Sequence, residues 1–334
     1  MTQADSALNE ENTMKAMVHD EYGPPSVLGL KEIDTPRPKD DEVLIRVRAA
    51  GVNWADWSMV RGMPYIMRLG YGLRKPRKGL RGTDVAGEVE AIGADVTNVK
   101  PGDQVFGWCT GAFAEYVCTG EGSVVLMPPS LTFEQAAAVP MAGMVALQAL
   151  RNVGKVQRGQ KVLVVGASGG IGSFAVQIAR SIGAEVTGVC STNNMELVRS
   201  IGAEHVIDYT RDDFTQGDQR YDLILDIADK QSLSVRRRVL VPKGTLIPNS
   251  GHGGPWFGSV GRIFRAWMVS PFVGHRLHPF LSLPKQEDLV ALVELIESGD
   301  VTPIVDRTYP LIEAGEAVAY VGAGHARGKT VINV

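Results

Sequence analysis

From residue 161 the order of apolar and polar residues alternates between two periods. Lys161–Val165 is a short apolar run closed by Gly166, the pattern of a strand buried on both faces. Ile171, Ala175, Val176, Ile178, Ala179 and Ile182 then recur at helical spacing, and Gly183 stops the helix. Glu185–Cys190 reads as a second strand, Leu197–Ile201 as helix and His205–Tyr209 as a third strand. Asp222–Ile227 reads as a fourth and Gly244–Pro248 as a fifth. Strands alternating with helices predict right-handed crossovers and an α/β fold with a doubly wound parallel sheet of the Rossmann kind. Upstream the pattern differs. Between residues 15 and 130, short β-like runs (Glu42–Ala49, Val85–Ile92, Gln104–Phe106, Val124–Met127) are separated by Gly and Pro turns, and residues 131–152 turn Ala-rich and helical.

The junction of the first predicted strand and helix reads Gly166-Ala-Ser-Gly169-Gly170-Ile-Gly172. Glycines there let the backbone turn tightly and approach a ligand, and the free N–H groups of the helix start suit a pyrophosphate. The spacing is not G-x-G-x-x-G, and a bland strand-to-helix turn is the competing reading. The alternating elements that follow favour a dinucleotide site, with Ser168, Gly169, Gly170 and Ile171 at the pyrophosphate. After the second strand, where an NAD site usually carries Asp or Glu, the chain has Cys190-Ser191-Thr192-Asn193. Neutral hydroxyls on Ser191 and Thr192 can donate to a 2′-phosphate, which predicts NADPH/NADP rather than NADH; helix capping is their alternative role. No Arg or Lys follows directly to complete such a site.

Several stretches together resemble a family. Ala49–Asn53, Gly82–Val89, Val99–Gly107, Gly111–Tyr116, the glycine turn, Val206–Tyr209 and Gly328–Ile332 are similar, in this order, to the medium-chain dehydrogenase/reductase superfamily. The likeness is to its zinc-independent quinone oxidoreductase-like branch, and it covers residues 14–334. It implies a GroES-like β-barrel catalytic domain over 1–130 and 276–334, and a Rossmann NADP-binding domain over 131–275. It also implies that Asn53 lies beside the nicotinamide, where it would hydrogen-bond a substrate carbonyl. Tyr209, Arg327 and Lys329 join the cofactor set, Arg327 lying beside the tail strand that returns to the cleft. Trp54, Asp56 and Trp57 stand where the family has tyrosines. Trp57 is a candidate to stack on a flat substrate or is barrel core; Asp56 is a polar anchor, a proton relay or a cap. Asn249 and Ser250, after the fifth strand, would offer backbone to the nicotinamide carboxamide, and His252 is the histidine placed to titrate near it.

The cysteines bear on zinc. Only Cys109, Cys118 and Cys190 occur, scattered and odd in number, which reads as reduced thiols in a cytoplasmic enzyme. There is no C-x-x-C. No Cys follows Gly51, Gly82-Thr83-Asp84 stands in place of the Gly-His-Glu of zinc enzymes, and His275 and His278 lack further ligands at metal spacing. No metal site is expected. Without a Lewis acid to polarise an alcohol, the pattern favours acceptors that are already electrophilic, namely quinones, enones or activated carbonyls.

Charge and composition set limits. A formal net charge of −3 gives no global basic field for nucleic acid. Met1–Thr13 is polar, with no signal-peptide core, and no apolar run reaches the length of a membrane span. Two stretches depart from the family. Residues 61–81 hold Arg61, Arg68, Arg74, Lys75, Arg77, Lys78 and Arg81 with no acid, and residues 255–280 are rich in Trp, Phe, Met and Arg. A basic, aromatic-lined lid, contact with a membrane carrying quinone, and a solvated loop with an oligomer contact are the three readings; a homodimer is expected. The leading function is an NADPH-dependent quinone or enone reductase. The alternatives are an NADP-dependent carbonyl or alcohol dehydrogenase and a low-turnover nucleotide-binding sensor.

Overall fold

A computed structural model describes residues 13–77, 79–228, 232–249, 256 and 274–334. The readings placed on Ser250, His252, Lys78, the first twelve residues and residues 257–273 lie outside the described residues.

The N-terminal body is built on strands. β1 (Thr13–Val18) and β2 (Gly29–Asp34) form an antiparallel pair. β3 (Glu42–Val52), β4 (Asp84–Ile92), β5 (Gln104–Trp108), β6 (Tyr116–Gly120) and β7 (Val124–Leu126) form the larger sheet. β3 is its spine: eleven residues long, antiparallel to β4 and, over its first half, to β6. Its Val43, Ile45, Val47 and Ala50 pack into one core with Val85, Val105, Phe113 and Val117.

Six parallel strands form the second sheet: β8 (Lys161–Val165), β9 (Glu185–Cys190), β10 (His205–Asp208), β11 (Tyr221–Asp226), β12 (Leu240–Pro248) and β13 (Arg276–Leu277). Their order is β10-β9-β8-β11-β12-β13. The chain reverses direction across the sheet between β8 and β11, which opens a crevice at their carboxyl ends. The helix Gly170–Ser181 covers one face and buries Phe174, Ala175, Ile178 and Ala179. The helix Pro140–Leu147 is buried nearly all round, between the two bodies and against the helix Gln286–Glu297.

The sixth strand corrects one expected boundary. Arg276 and Leu277 pair with Thr245 and Leu246 of β12, so the return to the N-terminal body begins after this strand and not at 276. The return is made by β14 (Val305–Pro310), the helix Ala314–Gly322 and β15 (Lys329–Asn333). β15 runs parallel to β14 and antiparallel to β3, with Thr330 opposite Val52. The tail strand thus begins beside the end of β3, next to Asn53.

Candidate functional site at the junction of the two sheets

Asn53 lies where β3 gives way to the helix Trp54–Arg61. Its backbone N–H donates to Asp56 Oδ2 at 2.8 Å, which fixes the first turn of that helix. Asp56 Oδ1 accepts from the Gly82 N–H at 3.2 Å. Asp56 is fully buried, and burial pushes its carboxyl up to about 6 against the lowering effect of these backbone donors. Asp56 is therefore an anchor between the helix start and the Gly82 turn.

The Asn53 side chain is fully engaged. Its Nδ2 donates to Thr83 Oγ1 at 2.9 Å and to Asp84 Oδ2 at 3.0 Å. Its Oδ1 accepts from Lys329 Nζ at 2.6 Å. An amide has two protons to give, and both are taken. The expectation that Asn53 itself donates to a substrate carbonyl is corrected on this point: it holds its neighbours instead. Thr83 Oγ1 receives one of those protons, and Thr83 is the half-exposed residue between buried Gly82 and buried Asp84. Its own hydroxyl proton has no acceptor among the described residues.

Lys329 completes the cluster. Its side chain is 4% exposed and its Nζ also donates to Val52 O at 3.1 Å and Asp84 Oδ2 at 3.2 Å. All three ammonium protons are placed. Asp84 is buried as well, and its Oδ1 accepts from the Met141 N–H at 3.2 Å. Desolvation raises the Asp84 carboxyl, opposed chiefly by the charge of Lys329.

The tail carries Lys329 to this place by way of the glycine turn. Gly328 N–H donates to Ser168 O at 2.8 Å, and Gly328 bridges Gly169. A side chain on Gly170 would meet the Lys329 stem at 3.0 Å. In the turn itself Gly166 has φ +88°, and a Cβ on Gly172 would come within 2.1 Å of Gly166 O, so helix and strand close tightly only with glycine at these two positions. Gly169 caps the helix Gly170–Ser181 with no side chain, leaving the N–H groups of its first turn, near half-buried Ile171, for an anion.

A dinucleotide fits this surface. Asn194 Nδ2 donates to Ser168 Oγ at 3.0 Å and to Ser191 Oγ at 3.2 Å, so both serine hydroxyls keep a proton to give. Thr192 differs from the sequence expectation: its hydroxyl donates to Asp208 Oδ2 at 2.5 Å, and its proton is spent inside the protein. That bond, ahead of those from Thr210, holds the Asp208 carboxyl below its ordinary range. The cation missing from the local sequence arrives from the tail, where Arg327 Nη2 donates to Asn193 O at 2.9 Å. Tyr209 lies on the rim of a cleft of about 430 Å³ lined by Gly166, Val189, Arg211, Phe214 and Arg236. Beneath it the buried Arg236 pairs with Asp226 at the carboxyl end of β11. Asn249 N–H donates to Asp226 O at 2.8 Å, and the buried Asn249 Nδ2 has no hydrogen-bond partner among the described residues. An orphaned amide donor beside the crevice suits a carboxamide oxygen.

Trp57 has a structural place. Its ring lies against Gly322, where a Cβ would come within 2.1 Å, and it packs on the barrel core with the Arg61 guanidinium 5.0 Å from its centroid. It is a packing residue, and stacking on substrate is corrected accordingly.

Zinc does not fit the residues present. Thr83 and Asn53 offer neutral oxygens and nitrogen already bonded to each other, and an ammonium occupies the space beside Asp84. The nearby Cys109 thiol is buried and pushed up by desolvation, which opposes the thiolate that zinc requires. Burial also lifts Cys118 and Cys190, each to about 11. Among the described residues the one group of three metal-type side chains is Glu185, Glu204 and His205, at the opposite end of the parallel sheet. His275 accepts from Arg237 Nε at 3.5 Å and is no part of it.

The alcohol dehydrogenase GroES-like domain model matches residues 39–129, and the model described as zinc-binding dehydrogenase matches residues 201–332. The chain is 33% identical over 339 residues to the chloroplast envelope quinone oxidoreductase homolog of Arabidopsis thaliana, covering 96% of this chain and 98% of that protein. It is 33% identical over 373 residues to a mitochondrial NAD(P)H oxidoreductase of Mus musculus, covering 96% and 89%. The structure of the quinone oxidoreductase from Coxiella burnetii superimposes with a TM-score of 0.84 at 31% identity, over 96% of this chain and 99% of that one.

Proposed function

The chain belongs to the medium-chain dehydrogenase/reductase superfamily, in its zinc-independent quinone oxidoreductase-like branch, and from this we propose that it uses NADPH to reduce a quinone or activated enone. The observation that carries the reading is the seam made by the tail. Gly328 is bonded to the glycine turn at Ser168, and the adjoining Lys329 is bonded to Asn53, so the dinucleotide surface and the polar cluster are one continuous surface.

In this reading Ser168, Ser191, the first turn of the helix Gly170–Ser181 and Arg327 hold the phosphates of the cofactor. The guanidinium of Arg327 over the Ser191–Asn194 turn supports NADPH over NADH, because a 2′-phosphate needs a cation and this turn carries no acid. When bound, the nicotinamide supplies the hydride.

Lys329 and Asp84 fix the Asn53 amide, and Asn53 fixes Thr83. The Thr83 hydroxyl, which accepts from Asn53, keeps its own proton to donate to the oxygen of a bound acceptor. One such hydrogen bond orients the acceptor and stabilises the anion that hydride addition creates. A quinone gives a delocalised anion that solvent can protonate, so the cluster needs no general acid. An isolated ketone would give an alkoxide, for which no group of this cluster among the described residues is suited. A cytoplasmic setting is part of the proposal, supported by three separate, unpaired cysteines. Transient kinetics of NADPH oxidation with quinone, enone and aldehyde acceptors test it.

A further inference from the structure

Trp256, a described residue of the aromatic stretch, meets the basic stretch. The ring of Tyr65 lies 5.4 Å from that of Trp256, edge to face, and the Ile66 N–H donates to Trp256 O at 3.2 Å. Around this contact runs a groove of about 500 Å³ lined by Tyr65, Ile66, Arg68, Leu69, Leu73 and Trp256. Its apolar members face solvent: Leu69 and Leu73 are each 68% exposed and Trp256 66%. Isolated exposed leucines are ordinary, but two leucines and a tryptophan around one groove form a patch with a use.

Charge is distributed in the same unusual way. Arg68 stacks on Tyr22 and Tyr65, at 4.4 and 4.8 Å, and Arg81 is buried. Arg74, Lys75 and Arg77 are exposed on the turn that carries Leu73. No acid occurs between residues 61 and 81, although the whole chain is net acidic. Asp20 is paired with Lys31 at 2.5 Å, and that bond, well ahead of the Lys75 charge, holds its carboxyl below the ordinary range. The strip is therefore both cationic and apolar on a protein that is otherwise acidic.

We propose that this strip docks on an anionic lipid bilayer. Leu69, Leu73 and Trp256 enter the boundary between headgroups and acyl chains, and Arg74, Lys75 and Arg77 sit over lipid phosphates. A second copy of the chain is a poorer occupant, because a two-fold contact would set these cations against themselves. A bilayer supplies an apolar layer and a layer of anions in the order the strip presents them. No helix among the described residues is long and apolar enough to cross a membrane. Delivery of a lipophilic acceptor from the bilayer to the Thr83 site rests on the quinone reading; docking does not, and it is measured without substrate.

The test is flotation of the full chain with vesicles of phosphatidylcholine alone and of phosphatidylcholine with about 30% phosphatidylglycerol. Binding is expected to the anionic vesicles, and to be lost at high salt. Arg74→Gln/Lys75→Gln/Arg77→Gln should weaken it at least about tenfold, and Leu69→Ser/Leu73→Ser about tenfold. Far-ultraviolet circular dichroism and thermal melting unchanged from the parent show that the variants fold. Equal binding to both vesicle types, no binding to either, or variants that bind like the parent would overturn the proposal. Vesicle binding unchanged in Leu69→Ser/Leu73→Ser while a soluble dimer dissociates assigns the patch to a copy interface and also overturns it. The same holds if vesicle binding is unchanged while vesicle-free turnover of a water-soluble quinone is lost, which would make the strip a substrate lid.

Discussion

Lys329 Nζ lies 2.6 Å from Asn53 Oδ1, joining residues 276 positions apart in a site where neither side chain has a hydrogen-bonding group to spare. The bond depends on the antiparallel pairing of β15 with β3 and on the Gly328 contact to the glycine turn. Lys329→Met would leave Asp84 buried without its counter-ion. A loss of about 3 kcal/mol in unfolding free energy is expected, since removing one member of a buried pair strands the other. Adding Asp84→Asn should restore part of it. Denaturant titration of the single and double variants measures both effects.

Thr83→Val keeps shape and removes the hydroxyl. In this variant kcat/KM for a quinone should fall about tenfold or more, the scale of one hydrogen bond to a developing charge. The loss should fall on kcat, with NADPH affinity unchanged and Thr83→Ser retaining most of the rate. Asn53→Ala should do similar damage indirectly, by releasing Thr83. Steady-state kinetics that separate kcat from KM distinguish these outcomes.

Asp56 titrates near 6, above its ordinary range, because it is buried. A carboxyl raised on folding takes up a proton. Its favourable contribution is full below its unfolded value near 3.8 and is lost as pH rises through about 6. The unfolding free energy should therefore decline across that window, and the decline should be absent in Asp56→Asn. Below pH 6 the protonated carboxyl accepts less well from Asn53 and Gly82, so quinone turnover should drop there too. Melts and rates across pH 4–8, in parent and variant, show whether the inflection belongs to this residue.

Arg327→Ala should raise the NADPH dissociation constant about tenfold or more and leave that of NADH nearly unchanged, because the lost cation matters only to the extra phosphate. Fluorescence titration with both cofactors gives the ratio. Equal weakening of the two would assign Arg327 to holding the Ser191–Asn194 turn.

The parallel sheet and the glycine turn were legible because both are local patterns, a run of apolar residues and glycines at a strand-to-helix junction. The short β13 was not, since two residues carry no period. In the site, Asn53 and Lys329 could be named from motifs, but their bond could not, because it is made by a tail strand closing over 276 positions. Thr83 was visible only as the residue in place of a zinc-binding histidine. Its role depends on which way the Asn53 amide is used, a matter of side-chain partners. Thr192 misled for the same reason: a hydroxyl at the end of β9 looks available until Asp208, from the next strand over, is seen to accept its proton. Trp57 looked like a stacking platform in sequence, and the Gly322 surface that receives it is 265 positions away.

NADPH-dependent quinone reduction is tested most directly by single-turnover oxidation of bound NADPH, followed by stopped-flow absorbance, with a benzoquinone, an enone and a simple aldehyde, before and after treatment with a strong chelator. Fast oxidation by the quinone or enone is expected, with little by the aldehyde, no effect of chelation, and a slowed hydride step in Thr83→Val. Rapid, chelator-sensitive aldehyde reduction, or tight NADPH binding with no oxidation by any acceptor, would contradict it.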